Sequence, residues 1–261
     1  MKHFWMCACL LFSTLTVWGQ TNFRKSEIKE VMKRVADWQI ANPDQRHEHG
    51  DLDWTNAALY MGMIDWAELT EGEDGNRTYY DWLLKIGRRN HFQMGKWMYH
   101  ADFIAVGQPF IDLYQKYKEQ KMITPVMARA NWVVENMPMA SMQLDYGKME
   151  TLTRWSWCDA LFMAPPVYAK LYGQTLDRKY LDFMNREYKA TYDLLFDKEE
   201  NLFYRDTRYI GKQEANGKKV FWGRGNGWVL GGLAEILKAL PADEPSRKFY
   251  QELFVTLATR V

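Results

Sequence analysis

The sequence predicts a single all-α domain built of stacked helical hairpins. Apolar residues recur at helical spacing from residue 25 to the end of the chain, and only short polar or Gly/Pro breaks separate the segments. The chain also resembles itself, because "AALYMGMIDWAELT" (57–70) lines up with "DALFMAPPVYAKLY" (159–172). Such repetition predicts hairpins that bury their faces against one another, in either a toroid or a solenoid. A toroid would place the starts of its inner helices around a central cavity.

The individual elements follow from this periodicity. The predicted helices cover residues 25–41, 54–70, 77–89, 101–117, 124–136, 152–172, 177–196, 226–240 and 245–260. Pro165 and Pro166 are expected to kink the sixth of these. Residues 201–225 alternate apolar and polar side chains around Asn216-Gly217, which predicts an inserted β-hairpin whose ends, at Tyr204 and Trp222, lie close together.

The first twenty residues, "MKHFWMCACLLFSTLTVWGQ", predict a secretory signal peptide. Lys2 precedes an apolar centre that ends near Val17, and the small residue Gly19 follows. This centre is short for a membrane span, although an uncleaved anchor stays open as an alternative. We therefore expect a bacterial protein exported to the periplasm or cell surface, with one domain over residues 21–261 and no membrane span after cleavage.

Charge and cysteine content exclude several classes of protein. Loss of Lys2 with the signal peptide leaves 33 basic and 33 acidic residues, so nothing electrostatic favours a nucleic-acid partner. Cys158 is the one cysteine beyond residue 20, which excludes an internal disulfide in the processed chain. His47 and His49 stand two apart in a polar loop without a third ligand, so we expect no metal site and no cofactor.

The stretch "RWSWCDALFMAPP" (154–166) places the carboxylate of Asp159 among aromatic and sulfur-containing side chains. Burying an unpaired carboxylate is costly and raises its pKa. In a helix over 152–172, Asp159 would share an inward face with Trp155 and Phe162. Two interpretations remain open: a structural Asp that caps a helix or pairs with Arg154, and a general acid/base held protonated by its surroundings.

Two further stretches could meet Asp159 at a cavity. In "YHADFIAVGQPF" (99–110), His100 and Asp102 open a helix; this Asp can be a simple first-turn dipole partner or a second carboxylate that raises the pKa of Asp159. In "VFWGRGNGW" (220–228), the spacing G-x-G-x-G excludes a dinucleotide site. Arg224 beside this glycine turn can still hold a carboxylate, and a plain structural turn is the alternative.

Taken together, "WSWCDALFMAPP", "LFYRD" and "FWGRGNGW" resemble the unsaturated rhamnogalacturonyl hydrolases, glycoside hydrolase family 105, from about residue 25 to the end of the chain. The resemblance implies an (α/α)6 toroid and no metal. It implies that Asp159 is the acid/base that hydrates a 4,5-unsaturated uronic acid at the non-reducing end of lyase-generated, rhamnogalacturonan-type oligosaccharides. Asp102 corresponds to the second carboxylate, although Phe103 stands where many relatives carry another Asp.

The resemblance also implies the substrate-binding residues. Arg224 would pair with the uronate carboxylate and Trp222 would stack on a sugar face. Arg205 stands where many relatives have a His, which predicts a different substrate preference. The substrate-binding candidates are Trp54, His100, Trp157, Tyr204, Arg205, Trp222 and Arg224.

The family toroid is longer than this chain, so we expect a C-terminally incomplete toroid. Two other functions remain open at this point. One is an inverting glycosidase, which needs two carboxylates about 6.5–9.5 Å apart around an intact glycosidic bond. The other is a non-catalytic sugar-binding remnant. Turnover of unsaturated substrates alone would indicate the family 105 reaction, and turnover of saturated substrates would indicate an inverting glycosidase. Binding without turnover would identify the sugar-binding remnant.

Overall fold

The computed structural model describes residues 24–43 and 49–261. The predicted signal peptide over residues 1–20 and His47 lie outside the described residues. The helices are α1 (Lys25–Ala41), α2 (Trp54–Asp74), α3 (Thr78–Arg89), α4 (Ala101–Ile104), α5 (Gly107–Tyr117), α6 (Gln120–Glu135), α7 (Ala160–Met163), α8 (Pro165–Thr175), α9 (Arg178–Leu195), α10 (Gly223–Ala239) and α11 (Arg247–Arg260). Strands β1 (Phe196–Asp197) and β2 (Leu202–Phe203) pair antiparallel, with Phe196 opposite Phe203.

The helices form an inner and an outer layer. Helices α2, α5, α8 and α10 lie side by side in that order, and α3, α6, α9 and α11 each pack against the inner helix that precedes them. This arrangement confirms the predicted helical hairpins. Because successive inner helices share a direction, their first turns lie at one end of the layer, where Trp54, Asp102, Asp159 and Arg224 are found.

The internal repeat is visible as a recurring tyrosine in the outer layer. Tyr79, Tyr180 and Tyr250 each stand in the first turn of an outer helix and are each 1% exposed. Their hydroxyls donate to the outer helix before them: Tyr79 to Asp37 at 2.8 Å, Tyr180 to Asn131 at 2.6 Å and Tyr250 to Asn185 at 2.7 Å. The repeated sequence thus encodes a repeated contact between neighbouring outer helices.

Close packing and a buried ion network hold the inner helices together. A Cβ on Gly232 of α10 would lie 2.2 Å from the carbonyl oxygen of Leu161, so only glycine permits this approach. At the opposite end from the first turns, the ammonium of buried Lys170 donates to both oxygens of Asp112, at 2.7 and 2.6 Å, and lies 3.1 Å from Glu235. These residues line a cavity of about 490 Å³ between α2, α5, α8 and α10.

The helix predicted over 152–172 is wrong in detail. Residues 153–159 are not helical, and the helix predicted over 152–172 is replaced by a short 3₁₀ turn (Met149–Leu152), α7 and α8, with Pro165 starting α8 instead of kinking it. The backbone of 157–158 pairs instead with 205–206, where the Cys158 amide donates to the Arg205 carbonyl at 2.8 Å. Asp159 therefore precedes α7, and Arg154 pairs with Glu187 rather than with Asp159.

The predicted hairpin over 201–225 is also smaller than expected. Around Asn216-Gly217 it makes a single bridge, Gln213 opposite Lys219, and the regular strands lie at β1 and β2. Its ends do lie close together, because the rings of Tyr204 and Phe221 stack at 4.8 Å. Helices α4 and α5 likewise replace one predicted helix over 101–117.

Candidate active site

Asp159 is held at the first turn of α7 by the backbone on both sides. The pairing of Trp157 with Asp206 fixes the chain before it, and the Phe162 amide donates to the Asp159 carbonyl at 2.9 Å after it. The Asp159 side chain is partly buried and does not cap α7. It is therefore a carboxyl group placed at the inner helix ends for a reason other than capping.

The surroundings of Asp159 act on its pKa in opposite directions. Burial raises the pKa, and this effect prevails. A hydrogen bond from the Cys158 thiol, 3.3 Å from Oδ1, and the nearby charges of Arg205 and Arg224 lower it. On balance, the Asp159 carboxyl group keeps its proton to a higher pH than an ordinary Asp. When it does ionise, the positive charges of Arg205 and Arg224 stabilise the carboxylate.

Asp102 stands in the first turn of α4, where His100 is the N-cap and its Nδ1 accepts from the Asp102 amide at 3.2 Å. Burial, and then the charges of Asp159 and Asp53, raise the pKa of Asp102 to about 7. The two predicted carboxylates therefore belong to one electrostatic site. Burial lowers the pKa of His100 to about 4, so its imidazole is neutral at neutral pH.

The start of α10 lies directly against Asp159. A Cβ on Gly225 would lie 2.7 Å from the Cys158 sulfur and 3.3 Å from Oδ1 of Asp159, so the glycine lets the helix start approach the carboxyl group. The next side chain, Asn226, accepts from the Phe203 amide at 2.8 Å and donates to its carbonyl at 3.0 Å. These bonds fix the position of the turn.

Arg224 and Trp222 lie together at this turn, as predicted. The Arg224 guanidinium is exposed and lies 4.6 Å from the centre of the Trp222 ring. Within residues 24–43 and 49–261, the structure records no ion pair for Arg224. It can therefore accept the carboxylate of a ligand without breaking a salt bridge.

Arg205 and Tyr204 are tied to the scaffold more firmly than Arg224. Arg205 pairs with the fully buried Asp206 and donates to the Tyr146 hydroxyl at 2.7 Å, while its guanidinium lies 5.8 Å from the Trp222 ring. Tyr204 is buried, and its hydroxyl donates to Asp197 at 2.7 Å. Arg205 lies beside the site, whereas Tyr204 supports the segment that carries it.

The two remaining predicted residues, Trp157 and Trp54, are aromatic side chains near the inner helix starts. Trp157 is buried with its ring 5.2 Å from that of His100. Trp54, at the start of α2, lies 5.8 Å from Trp228, which in turn packs 4.7 Å from Phe162. Trp54 thus stands at the inner helix ends, but its recorded ring contact is with the core.

Sequence analysis missed two residues of the site. Asp53, the N-cap residue of α2, contributes to the raised pKa of Asp102. Tyr146 lies in the loop before α7 and binds Arg205. Asp53 could have been found from its place directly before the first turn of an inner helix, whereas nothing in the local sequence marks Tyr146.

The described residues include no group of three or more His, Cys, Asp or Glu side chains arranged to hold a metal ion. None of the described helices combines the length and apolar character needed to cross a membrane.

Comparison with known proteins agrees with this geometry. The family model described as Glycosyl Hydrolase Family 88 matches residues 24–261. A curated relative from Formosa agariphila, named unsaturated 3S-rhamnoglycuronyl hydrolase, is 33% identical over 95% of this chain. The chain spans 66% of that relative's length.

Solved structures show the same fold. A glycosyl hydrolase family 88 protein from Bacteroides vulgatus superposes with a TM-score of 0.70 at 27% identity, over 89% of this chain and 68% of that one. A glycoside hydrolase from family 105 of C. acetobutylicum superposes with a TM-score of 0.68 at 20% identity, over 88% of this chain and 64% of that one. The predicted toroid fold is thereby confirmed. The chain belongs to the glycosyl hydrolase family 88 and family 105 group, as its motifs predicted.

Proposed function

We propose that this protein hydrates the double bond of a 4,5-unsaturated uronic acid at the non-reducing end of an oligosaccharide and thereby releases the linked sugar. The observation that carries this proposal is the placement of Asp159. Its carboxyl group has a pKa raised by burial, yet it lies beside Asp102 and within the field of Arg205 and Arg224. A residue that acts first as general acid and then as general base must begin protonated and then be able to ionise.

The reaction follows from these positions. Asp159 donates its proton to C4 of the enol ether, and the positive charge that develops at C5 and the ring oxygen is stabilised by the Asp159 carboxylate. Water adds to C5 as Asp159 takes a proton from it, which restores the acid and forms a hemiketal. The hemiketal opens to a ketone, the ring oxygen becomes a hydroxyl on C1, and the C1 hemiacetal expels the linked sugar as an alcohol.

Arg224 orients the substrate in this scheme. Its exposed guanidinium beside Trp222 binds the uronate carboxylate at C5, and the Trp222 ring offers a face for the sugar. The neutral imidazole of His100 lies against Trp157, and the charges of Asp102 and Asp159 interact. The name of the Formosa agariphila relative supports a rhamnose-type sugar as the partner of the uronate. We infer a rhamnogalacturonan-type substrate, as in pectin degradation.

We also infer export of the protein, on the sequence of residues 1–20 alone. A periplasmic or surface location suits an enzyme that acts on fragments of external polysaccharides.

The test of the reaction uses isotopes. Turnover in D₂O should place one deuterium on C4 of the released keto sugar, and turnover in H₂¹⁸O should place the label on its C5 oxygen. The saturated disaccharide is the matched control and should remain intact. Cleavage of the saturated disaccharide, with ¹⁸O on C1, would instead identify an inverting glycosidase. Binding of both disaccharides without turnover would indicate a sugar-binding protein.

A further inference from the structure

The short helix α7 is followed by two prolines, which deprive its carbonyls of their helical donors. In an unbroken helix, the amides of residues 165 and 166 would donate to the carbonyls of Leu161 and Phe162. Pro165 and Pro166 have no N–H and cannot make these bonds. Leu161 and Phe162 are both buried, and a buried carbonyl needs another hydrogen-bond donor.

Gln108, on α5, binds the end of α7 in place of the missing amides. Its Nε2 donates to the Phe162 carbonyl at 2.8 Å and to the Met163 carbonyl at 3.2 Å. The side chain is fully buried, and its Oε1 has no hydrogen-bond partner in the part of the chain that the structure describes. An unpaired buried acceptor is costly, but rotating the amide by a half turn would point this oxygen at the two carbonyls. The end of α7 therefore sets the orientation of the Gln108 amide.

This contact reaches Asp159 through one residue. The Phe162 amide donates to the Asp159 carbonyl at 2.9 Å, while the Phe162 carbonyl accepts from Gln108. Gln108 stands at the start of α5, the helix that follows α4 and its Asp102, and α4 itself packs against α7. Gln108 thus ties the segment that carries Asp102 to the segment that carries Asp159.

We infer that Gln108 is a positioning residue, which fixes α7 so that the Asp159 carboxyl group stays in place for proton transfer to the substrate. The inference rests on the function proposed above. Gln108 is fully buried and acts through two backbone carbonyls, so it influences the chemical step and not the binding of the uronate. Proton transfer depends steeply on the placement of the acid. Arg224 and Trp222, which bind the uronate in this scheme, stand at the start of α10.

The test measures kcat and KM on a disaccharide that carries the unsaturated uronate. Gln108→Met keeps the length of the side chain and removes both donors, so kcat should fall about tenfold or more while KM stays within about twofold. Gln108→Glu has nearly the same shape, and its buried, protonated carboxyl group keeps one donor, so its kcat should lie between those of the parent and Gln108→Met. If Gln108→Met does not fold, Gln108→Glu decides alone: a lower kcat at unchanged KM supports the inference, and a kcat equal to that of the parent overturns it.

Tyr180→Phe is the matched control, because it also removes a buried hydrogen bond between helices, to Asn131 at 2.6 Å in the outer layer. Urea unfolding should show that this variant is destabilised, yet its kcat and KM should equal those of the parent. An equal loss of kcat in Tyr180→Phe and Gln108→Met would make Gln108 an ordinary stabilising contact and overturn the inference. A kcat that is unchanged in folded Gln108→Met would overturn it as well.

Labelling of Cys158 tests the role of Gln108 independently of the reaction. The Leu161 amide donates to the Cys158 carbonyl at 3.0 Å, so this buried thiol is attached to the same turn. A thiol reagent, with mass spectrometry to locate the label, should modify Cys158 several-fold faster in Gln108→Met than in the parent or in Tyr180→Phe. If the folded parent does not turn over the disaccharide, the proposed function is refuted and these rates decide. Faster labelling in Gln108→Met then supports the fixing of α7 by Gln108, and equal rates in the three proteins overturn it.

Discussion

The thiol of Cys158 donates a hydrogen bond to Oδ1 of Asp159 across 3.3 Å. Burial, followed by the charge of Asp159, raises the pKa of this fully buried thiol, so the sulfur keeps its proton and remains a donor. Sequence analysis considered Cys158 only as a possible disulfide partner. The structure adds an electrostatic role, since the hydrogen bond favours the ionised form of the neighbouring carboxyl group.

Removal of this donor should move the pH profile of the proposed reaction. In Cys158→Ala the pKa of Asp159 should rise, because a hydrogen bond that lowers it is lost, so kcat/KM should decline at a higher pH on the alkaline side. Cys158→Ser keeps a donor and should stay closer to the parent. The measurement is kcat/KM against pH for the three proteins. If kcat/KM declines at the same alkaline pH in all three proteins, Cys158 does not influence the pKa of Asp159.

The glycine at the start of α10 should tolerate no side chain. In Gly225→Ala the new Cβ would lie 2.7 Å from both the Cys158 sulfur and a Trp222 ring carbon, so we expect a loss of about 1–3 kcal/mol in the free energy of unfolding and a loss of activity. Gly227→Ala is the matched control, with no atom within 4 Å of its Cβ, and should gain about 0.5–1 kcal/mol. Urea unfolding measures both, and equal stabilisation of the two variants would contradict the close approach.

The raised pKa of Asp102 makes stability depend on pH. The folded state holds this proton up to a pH of about 7, whereas the unfolded chain loses it near the ordinary Asp pKa of 3.8. The contribution of Asp102 to the free energy of unfolding is therefore largest below pH 3.8. It decreases as the pH rises toward 7, by up to roughly 4 kcal/mol. Asp102→Asn removes this titration.

Thermal unfolding at pH 5 and pH 8 tests this dependence. The midpoint of the parent should fall more between the two pH values than that of Asp102→Asn. Asp193→Asn, which changes an exposed carboxylate paired with Lys189, is the control and should behave like the parent. The same fall in Asp102→Asn as in the parent would show that Asp102 is not the titrating group.

Arg224 should govern affinity for the uronate carboxylate. Arg224→Ala should raise KM about tenfold or more, because a charge-assisted bidentate contact is lost, and Arg224→Lys should be intermediate because an ammonium cannot reproduce the planar fork. The methyl ester of the same substrate is the control, since it lacks the negative charge. If both substitutions raise KM equally for the acid and the ester, the assigned contact is wrong.

Most helices could be predicted because their cause is local. The periodicity of residues 25–41 and the capping Asp177 before α9 lie within the segments they define, so α1 was placed at its observed bounds and α9 within one residue at each end. Tyr79, Tyr180 and Tyr250 stand at equivalent places in the first turns of three outer helices. Their partners on preceding helices required the structure.

The sequence indicated which residues form the candidate site, but it did not indicate how the backbone positions them. Asp159 was expected on the inward face of a long helix, yet it precedes a short one because residues 157–158 pair with 205–206. Helical periodicity carries no information about a contact made nearly fifty residues away along the chain. The structure does bring Asp159, Asp102 and Arg224 into one electrostatic neighbourhood, with Asp102 in α4, Asp159 directly before α7 and Arg224 at the start of α10.

The most direct test of the central claim follows the ultraviolet absorbance of an unsaturated rhamnogalacturonan disaccharide. The conjugated double bond absorbs, and its hydration removes the signal. The parent should abolish the absorbance, and Asp159→Asn, shown by circular dichroism to be folded, should do so about 10²–10⁴-fold more slowly. Absorbance that persists with the folded parent, or that falls equally fast with the variant, would contradict the assignment of Asp159 as the acid that hydrates the substrate.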